Sequence, residues 1–305
     1  MIRAFQTLLT LLVVSFLVYF LIGLMPGDPV DLMISGNPSM TAEDAARLRA
    51  LHGLDRPLLL RYGQWLASAL SGDLGYSRLY GLPVIDVLLP ALGRTLLLSG
   101  IALIVTLLLA VPAGVYAAAR KNAPFDRAIN ILCFIFLSLP SFWLGLLLIS
   151  LFAVTLGWVP ASASLQSPVS LILPVVTLSL GGFAVYARHS RQATGQALLS
   201  DYIRTAQAKG CDQKSILWRH AFRNSLLPLV TLLMLDMGAL LGGALTVEVV
   251  FAFPGMGKIL FDAVMGNDYN LALAGFLILT TFVLLASLAA DILCKRLDPR
   301  GEKPA

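Results

Sequence analysis

The chain has 305 residues and a formal net charge of +5, and 58% of its residues are hydrophobic while only 13% are charged. Soluble domains are usually about half apolar and about a quarter charged, so a soluble fold could not bury this much apolar surface. The basic balance does not indicate nucleic-acid binding, because no basic stripe is interleaved with aromatic residues. Composition therefore predicts an integral membrane protein, with membrane lipid as part of its solvent.

Six apolar runs approach or exceed the length of about 20 residues that a membrane-spanning helix needs. In chain order they are Phe5–Met25, Thr95–Ala119, Ala128–Leu156, Ser170–Tyr186, Ser225–Val247 and Leu271–Leu293. The third run is long enough to tilt or break, and Pro140 lies inside it. The sequence thus predicts an all-α integral membrane protein with about six transmembrane helices.

The first run has two interpretations, a cleaved signal peptide or a retained helix. Arg3 precedes it, as a basic residue precedes the core of a signal peptide. However, the run is longer than the usual core of about 7–15 residues, and no small-residue cleavage site precedes Pro26. We therefore expect a retained helix.

A long polar connection, about Pro26–Arg94, follows the first run. Thr41 can cap a helix at positions 42–52, and Pro57 can begin a second helix. The connection is either a small cap on the helix bundle or a docking surface for an external partner, and these interpretations are compatible.

Basic residues divide unevenly between the two sides of the predicted membrane. The side with both termini, the loop near Arg120 and the loop after the fourth run carries 15 of the 22 Lys and Arg residues. The other side carries seven, six of them in the long first connection, where the positive-inside rule loses force. We therefore expect both termini and the segment 195–223 to be cytoplasmic.

The sequence shows no nucleotide-binding, metal-binding or catalytic motif. Gly255-Met256-Gly257-Lys258 is not a phosphate-binding loop, because Ala252 and Ile259 stand where that loop needs Gly and Ser or Thr. The histidines and cysteines form no close metal-binding pair; they are His52, His189, His220, Cys133, Cys211 and Cys294. We expect no catalytic residue, no metal site and no cofactor in this chain.

One acidic residue, Asp236, falls near the centre of a predicted span, where a charge costs at least about 2.5–3.5 kcal/mol. It either lines a transport pathway, where it could meet a cationic substrate group, or is a protonated or hydrogen-bonded packing residue. On the same predicted helix Gly238 and Gly242 form G-x-x-x-G, which favours close helix packing.

The loop after the fourth run contains a short segment, Asp201–Gly210, that can form a helix. Ser200 or Asp201 can cap its start, and Gly210 can end it in a left-handed turn. Tyr202, Ile203 and Ala206 can share one face, for which the sequence suggests no neighbour within this chain. The segment is either a solvated basic loop or a helix that inserts into a groove of a soluble partner.

Several short signatures occur along the chain. They are Met25–Pro29, Gly53–Leu58, Tyr62–Leu66, Gly72–Ser77, Asp201–Gly210 with its continuation to Pro228, Val247–Gly257 and Asp298–Arg300. In this order they resemble the membrane subunits of bacterial ABC importers, and more narrowly the peptide/nickel permease group. The general loop motif has Glu-Ala-Ala and a shorter distance from Gly to Leu-Pro, so this chain is similar to the longer version of the peptide group.

The resemblance implies an ABC importer type I permease fold in the bacterial inner membrane. It implies a second homologous permease subunit, two ATP-binding subunits that hold ATP and Mg, and a periplasmic or lipid-anchored substrate-binding protein. The chain itself would then not be an enzyme. The resemblance divides it into residues 1–94, with the first span and the periplasmic loop, and residues 95–305, a five-helix core with a cytoplasmic coupling loop at 187–224.

The resemblance also implies roles for particular residues. The residues that it assigns to contact with the ATPases are Asp201, Tyr202, Ile203, Arg204, Ala206, Lys209 and Gly210. The translocation pathway falls on Asp236 and Glu248. Peptides are the expected substrate, with nickel or metal chelates as the alternative; a secondary transporter or channel without ATPase partners is the alternative of another class.

Overall fold

A computed structural model of the chain describes residues 2–24, 43, 47 and 56–297. Most of these residues are helical. The α-helices longer than one turn are α1 (Ile2–Gly23), α2 (Leu58–Leu70), α3 (Val84–Ala119), α4 (Pro124–Ser138), α5 (Ser141–Leu148), α6 (Ile172–Leu198), α7 (Asp201–Ala208), α8 (Arg223–Val250), α9 (Met256–Met265) and α10 (Tyr269–Leu297). Shorter pieces extend them: a π-helical segment Ile149–Thr155 after α5, a 3-10 turn Pro168–Leu171 before α6, and Gln213–Ser215 with the π-helical segment Ile216–Phe222 before α8.

Each of the six predicted apolar runs coincides with helix. Three helical stretches are long and apolar enough to cross a membrane: Val84–Ala119, Pro168–Leu198 and Tyr269–Cys294. The pair Pro124–Ser138 and Ser141–Thr155 adds a fourth if it is one broken span. In the first run the apolar stretch Gln6–Leu21 is shorter, and in the fifth run α8 has 28 residues. By length and composition, the described residues thus give three or four clear spans at six predicted positions.

The third predicted span is broken, as its proline suggested. Helix α4 ends at Ser138, Leu139 has extended backbone angles, and α5 begins after Pro140. A residue that precedes proline is pushed out of the helical region by the proline ring. The two halves consequently meet at a bend of 103°.

The second predicted span begins earlier than expected. The prediction placed its start at Thr95, but α3 begins at Val84. Residues 84–94 had been assigned to the first connection, whereas Val84 and Leu88 are fully buried, so packing sustains the helix there.

In the first connection, α2 begins directly after Pro57, as predicted. Its aromatic face contacts α1, where the Tyr62 hydroxyl lies 2.8 Å from the Ser15 hydroxyl. The predicted helix at 42–52 lies outside the described residues except for Glu43 and Arg47, which are helical and form an ion pair of 3.0 Å.

The chain divides into two compact units. The first comprises Met1–Gly93 and Lys258–Leu284, and the second comprises Arg94–Gly257 and Leu285–Ala305. The division expected at residues 94 and 95 stays a prediction.

Within the second unit, small residues allow α3, α4 and α6 to pack closely. One buried cluster consists of Ala110, Ala117, Ile129, Cys133, Ala184, Tyr186 and Ala187. Leu232 and Leu233 of α8 pack against it. We call these seven residues the Tyr186 cluster; through it α6 packs against α8.

Candidate functional site

The turn from α8 to α9 is built around the carboxylate of Glu248, which is completely buried. Its Oε1 accepts a hydrogen bond from the Thr95 hydroxyl at 2.5 Å, and its Oε2 accepts one from the Gly257 N–H at 2.7 Å. The Thr95 hydroxyl oxygen in turn accepts the Met256 N–H at 2.7 Å. We call Thr95, Glu248, Met256 and Gly257 the Glu248 cluster.

The glycine at position 257 is required by close approach. A Cβ there would lie 2.5 Å from the Leu245 Cα, and backbone at that position cannot move aside as a flexible side-chain end can. The Val247–Gly257 signature therefore has a packing role: its residues join the end of α8 and the first residues of α9 to Thr95 of α3. Glu248 was expected to line the pathway, but its carboxylate is enclosed by protein and holds this turn together.

Asp236 lies near the middle of α8 and is half-buried. Leu232 and Leu233, four and three residues before it, pack against the Tyr186 cluster, so helical periodicity directs Asp236 toward the same neighbour. The Tyr186 side chain is buried, and its hydroxyl interacts with the Asp236 carboxylate. Sequence reasoning identified Asp236 but missed Tyr186, whose position gave no signal until α6 and α8 were seen to pack.

The close packing predicted for Gly238 and Gly242 concerns positions 237–243 of α8. Their surroundings lie outside those that the structure describes. The role of this pair stays a prediction.

The predicted short helix after the fourth span is present as α7, and Gly210 follows it with a left-handed φ of 76°. No side-chain hydrogen bond caps its start; instead the Ser200 hydroxyl donates to the Gln196 carbonyl at 3.4 Å. The polar side of α7 faces solvent: the side chains of Asp201 and Arg204 are 96% and 78% exposed.

The apolar side of α7 has a neighbour within the chain, contrary to the sequence-based expectation. Ile203 and Ala206 are 1% and 4% exposed. They belong to a buried cluster with Ala197, Ile216 and Ala221, with which α7 packs on the end of α6 and on the π-helical segment. Because these apolar side chains are buried against the same chain, only the rest of α7, including Tyr202 and Arg204, and Lys209 directly after it remain available to a partner.

A buried ion pair near the start of α4 was not anticipated. Asp126 accepts two hydrogen bonds from Arg191 of α6, from Nε at 2.5 Å and from Nη2 at 2.9 Å. It also accepts the Asn122 N–H at 2.8 Å and the Asn130 side-chain amide at 2.9 Å. Sequence reasoning used Arg191 only in the charge count; an acid in the first turn of an apolar helix was the available signal.

The sequence matches two families that together cover most of the chain. Residues 110–303 match the family described as binding-protein-dependent transport system inner membrane component. Residues 1–99 match the N-terminal membrane component of the same transport systems.

Three relatives illustrate the similarity over the full length. The chain is 35% identical over 300 residues to a protein named as a peptide permease in Brucella suis biovar 1, covering 95% of this chain and 94% of that protein. It is 34% identical over 310 residues to the oligopeptide transport system permease protein AppB of Bacillus subtilis, covering 98% of each. It is 36% identical over 290 residues to the glutathione transport system permease protein GsiC of Escherichia coli O6:H1, covering 95% and 94%.

A solved structure agrees on the fold. The inward-facing MetNI methionine ABC transporter contains a chain that superposes with a TM-score of 0.61 and 21% identity, covering 71% of this chain and 98% of that chain. This likeness shows the type I ABC permease fold. With the family matches, it establishes that the chain is a member of the binding-protein-dependent transport system inner membrane components, in the peptide/nickel group of ABC permeases.

Proposed function

We propose that this permease carries di- and oligopeptides across the bacterial inner membrane as part of an ATP-driven importer. The observation that carries the proposal is the full-length similarity to relatives named for peptide, oligopeptide and glutathione transport. Nickel or metal chelates remain the alternative substrate of the group, but none of these three relatives is named for a metal.

The proposed complex contains a second homologous permease, two ATP-binding subunits and a periplasmic or lipid-anchored substrate-binding protein. ATP and Mg are held by the ATP-binding subunits, so hydrolysis takes place outside this chain. The uneven distribution of Lys and Arg supports a cytoplasmic location for both termini and for α7.

Helix α7 is the proposed contact with the ATPases. Its exposed side is polar and carries Tyr202, which is 40% exposed, between Asp201 and Arg204. Its buried side is anchored through Ile203 and Ala206 to the same segment that leads into α8. A displacement of α7 by the ATPases would thus be transmitted to α6 and α8 through packed side chains.

The pathway is proposed to pass Asp236. This residue is half-buried at the middle of α8, and no basic side chain pairs with it among the described residues. The proposal does not extend to Glu248, because the carboxylate of Glu248 is committed to the α8–α9 turn.

The test of the function uses the complex purified through a tag on this chain and reconstituted in proteoliposomes. We expect uptake of radiolabelled trialanine only when ATP is present on the ATPase side and the binding protein on the other side. Uptake by this chain without ATPase subunits, driven by a proton or sodium gradient, would identify a secondary transporter instead.

The test of coupling uses Gly210→Val. A side chain at this left-handed φ costs about 1–2 kcal/mol, and since a Cβ there meets no atom within 4 Å, the strain acts on the backbone alone. We expect the loaded binding protein to stimulate ATP hydrolysis less, with less uptake per ATP. The matched control is Gly195→Ala in α6, which has equally open space without a positive φ. Unchanged stimulation and uptake in Gly210→Val would contradict the role of α7.

The orientation is tested separately by cysteine labelling in a variant without the three native cysteines. A membrane-impermeant maleimide added outside should react with a cysteine at position 61 and not with one at position 214. The reverse pattern would overturn the proposed topology.

A further inference from the structure

Helix α2 packs against α1 on one side and leaves another apolar side uncovered. Its residues Leu59, Leu60 and Leu70 are 70%, 60% and 81% exposed. With 3.6 residues in each turn, these leucines lie together with Gly63 and Ala67 within an arc of about 100° around the helix axis. No charged residue falls in that arc.

The polar residues of α2 occupy a separate and narrower strip. Arg61, Gln64 and Ser68 lie within an arc of about 60° that borders the uncovered apolar side. The helix has 13 residues and is about 20 Å long, so it cannot cross a hydrocarbon core of about 30 Å. A short helix that is apolar on one side and polar on another is suited to the boundary between lipid and water.

The contacts between α2 and α1 set the level at which α2 lies. The Tyr62 hydroxyl is 2.8 Å from the Ser15 hydroxyl, and the ring centroids of Trp65 and Tyr19 are 5.7 Å apart. Tyr19 and Ser15 stand four and eight residues before Gly23, the last residue of α1. These contacts therefore lie about 6 and 12 Å before the end of α1, measured along its axis.

Helix α1 relates this level to the membrane. Its 22 residues give a length of about 33 Å, little more than the hydrocarbon core, so a spanning α1 ends close to the surface of that core. Helices that lie in the interface bury their apolar side about 5–10 Å into the boundary between head groups and acyl chains, and α2 meets α1 at a similar depth. The exposed side of α1 near this level is itself apolar, since Leu17 and Leu21 are 52% and 53% exposed.

We propose that the uncovered side of α2 is embedded in the outer leaflet of the membrane, where Leu59, Leu60 and Leu70 contact lipid acyl chains. The strip with Arg61 then faces the periplasm, and Tyr62 and Trp65 are residue types that membrane proteins place at the interface. The outer leaflet follows from the proposed orientation of the termini. The inference goes beyond the proposed function, because it holds for any substrate, and it assigns α2 to the membrane and not to a surface that docks an external protein.

The test locates spin labels on α2 in the complete complex, reconstituted in liposomes of phosphatidylethanolamine and phosphatidylglycerol. The permease lacks its three native cysteines, and the label is attached to Leu59→Cys, Leu70→Cys or Ser68→Cys. Molecular oxygen concentrates among acyl chains, whereas a water-soluble nickel chelate is excluded from them. We expect the ratio of oxygen to nickel collisions to be about tenfold higher at positions 59 and 70 than at position 68, because an interfacial helix keeps only its polar side in water.

The matched control is the Ser68 position, which is exposed on the polar strip of the same helix. The same complex without an introduced cysteine gives the background signal, and uptake of trialanine by the labelled complexes shows that they remain assembled. Leu60→Cys replaces either leucine variant that does not assemble, since position 60 lies on the same side of α2.

Three results overturn the lipid contact. Frequent nickel collisions at positions 59 and 70, as at position 68, would place this side of α2 in water. Few collisions with either probe would mean that another protein subunit covers it. Protection from nickel that arises only after addition of the substrate-binding protein would identify that protein as the occupant.

Discussion

Helix α8 carries two carboxylates, Glu248 and Asp236, that lie about 18 Å apart along its axis, and their surroundings are opposite. Glu248 is fully buried and accepts hydrogen bonds from the Thr95 hydroxyl and the Gly257 N–H. Asp236 is half-buried and interacts with the Tyr186 hydroxyl. A fully buried acid whose two oxygens both accept hydrogen bonds holds structure together, whereas a half-buried acid with fewer such bonds is more available to a ligand.

The largest effect on folding is expected when the Glu248 cluster is forced apart. In Gly257→Val the Cβ would lie 2.5 Å from the Leu245 Cα, so two backbones must separate. We expect loss of the folded subunit, seen as loss of the monodisperse complex in size-exclusion chromatography. Gly181→Ala, where a Cβ meets no atom within 4 Å, should elute as wild type. A normal elution profile for Gly257→Val would mean that this close approach is not needed.

A third carboxylate extends the comparison to another part of the second unit. Asp126 is 2% exposed and doubly bonded to Arg191, so it should behave like Glu248 and not like Asp236. Breaking a buried ion pair by removing one charge costs about 3–5 kcal/mol; Arg191 is partly exposed, which places Asp126→Asn at the low end. Denaturation in detergent should show the loss, while Asp201→Asn, at a 96% exposed side chain, should show none. If Asp126→Asn and Asp201→Asn are equally stable, the ion pair between Asp126 and Arg191 does not contribute to stability.

Paired substitutions of the two α8 acids sharpen the comparison directly. Glu248→Gln places an amide donor near the Gly257 N–H or the Thr95 hydroxyl, and a buried donor left without an acceptor costs about 1–3 kcal/mol. Asp236→Asn keeps a side-chain oxygen that can accept from the Tyr186 hydroxyl, and it removes a charge from the middle of a span. We expect a lower denaturation midpoint for Glu248→Gln and an unchanged or higher one for Asp236→Asn. If Asp236→Asn is the less stable variant, its carboxylate is a structural group.

The helices themselves were predictable because each apolar run is long and uniform. The six runs, the break at Pro140 and the short helix ended by Gly210 all follow from residue chemistry that acts over a few neighbours. The early start of α3 did not follow, because the burial that sustains residues 84–94 depends on contacts distant in sequence.

The site was predictable only in part for the same reason. Asp236 is conspicuous by composition, since an acid in an apolar run is unusual in any context. Tyr186 is an ordinary aromatic residue of a helix until the packing of α6 on α8 brings its hydroxyl to Asp236. The assignment of Ile203 and Ala206 to an external groove failed because the chain covers that face itself.

The smallest expected effect on stability is that of Tyr186→Phe. This variant tests whether Asp236 differs from Glu248 in its hydrogen bonding. If the hydroxyl of Tyr186 has no partner, its removal abolishes an unsatisfied buried group and leaves a side chain of nearly the same shape, so stability should be unchanged or rise by up to about 1 kcal/mol. If the hydroxyl instead donates to Asp236 in the membrane, the variant should lose about 1.5–3 kcal/mol, the worth of a hydrogen bond to a charged group. The denaturation midpoint of Tyr186→Phe, measured in wild-type and Asp236→Asn backgrounds, separates these outcomes. A loss that disappears in the Asp236→Asn background would show that the two groups satisfy each other, and that Asp236 is closer in kind to Glu248 than its exposure indicates.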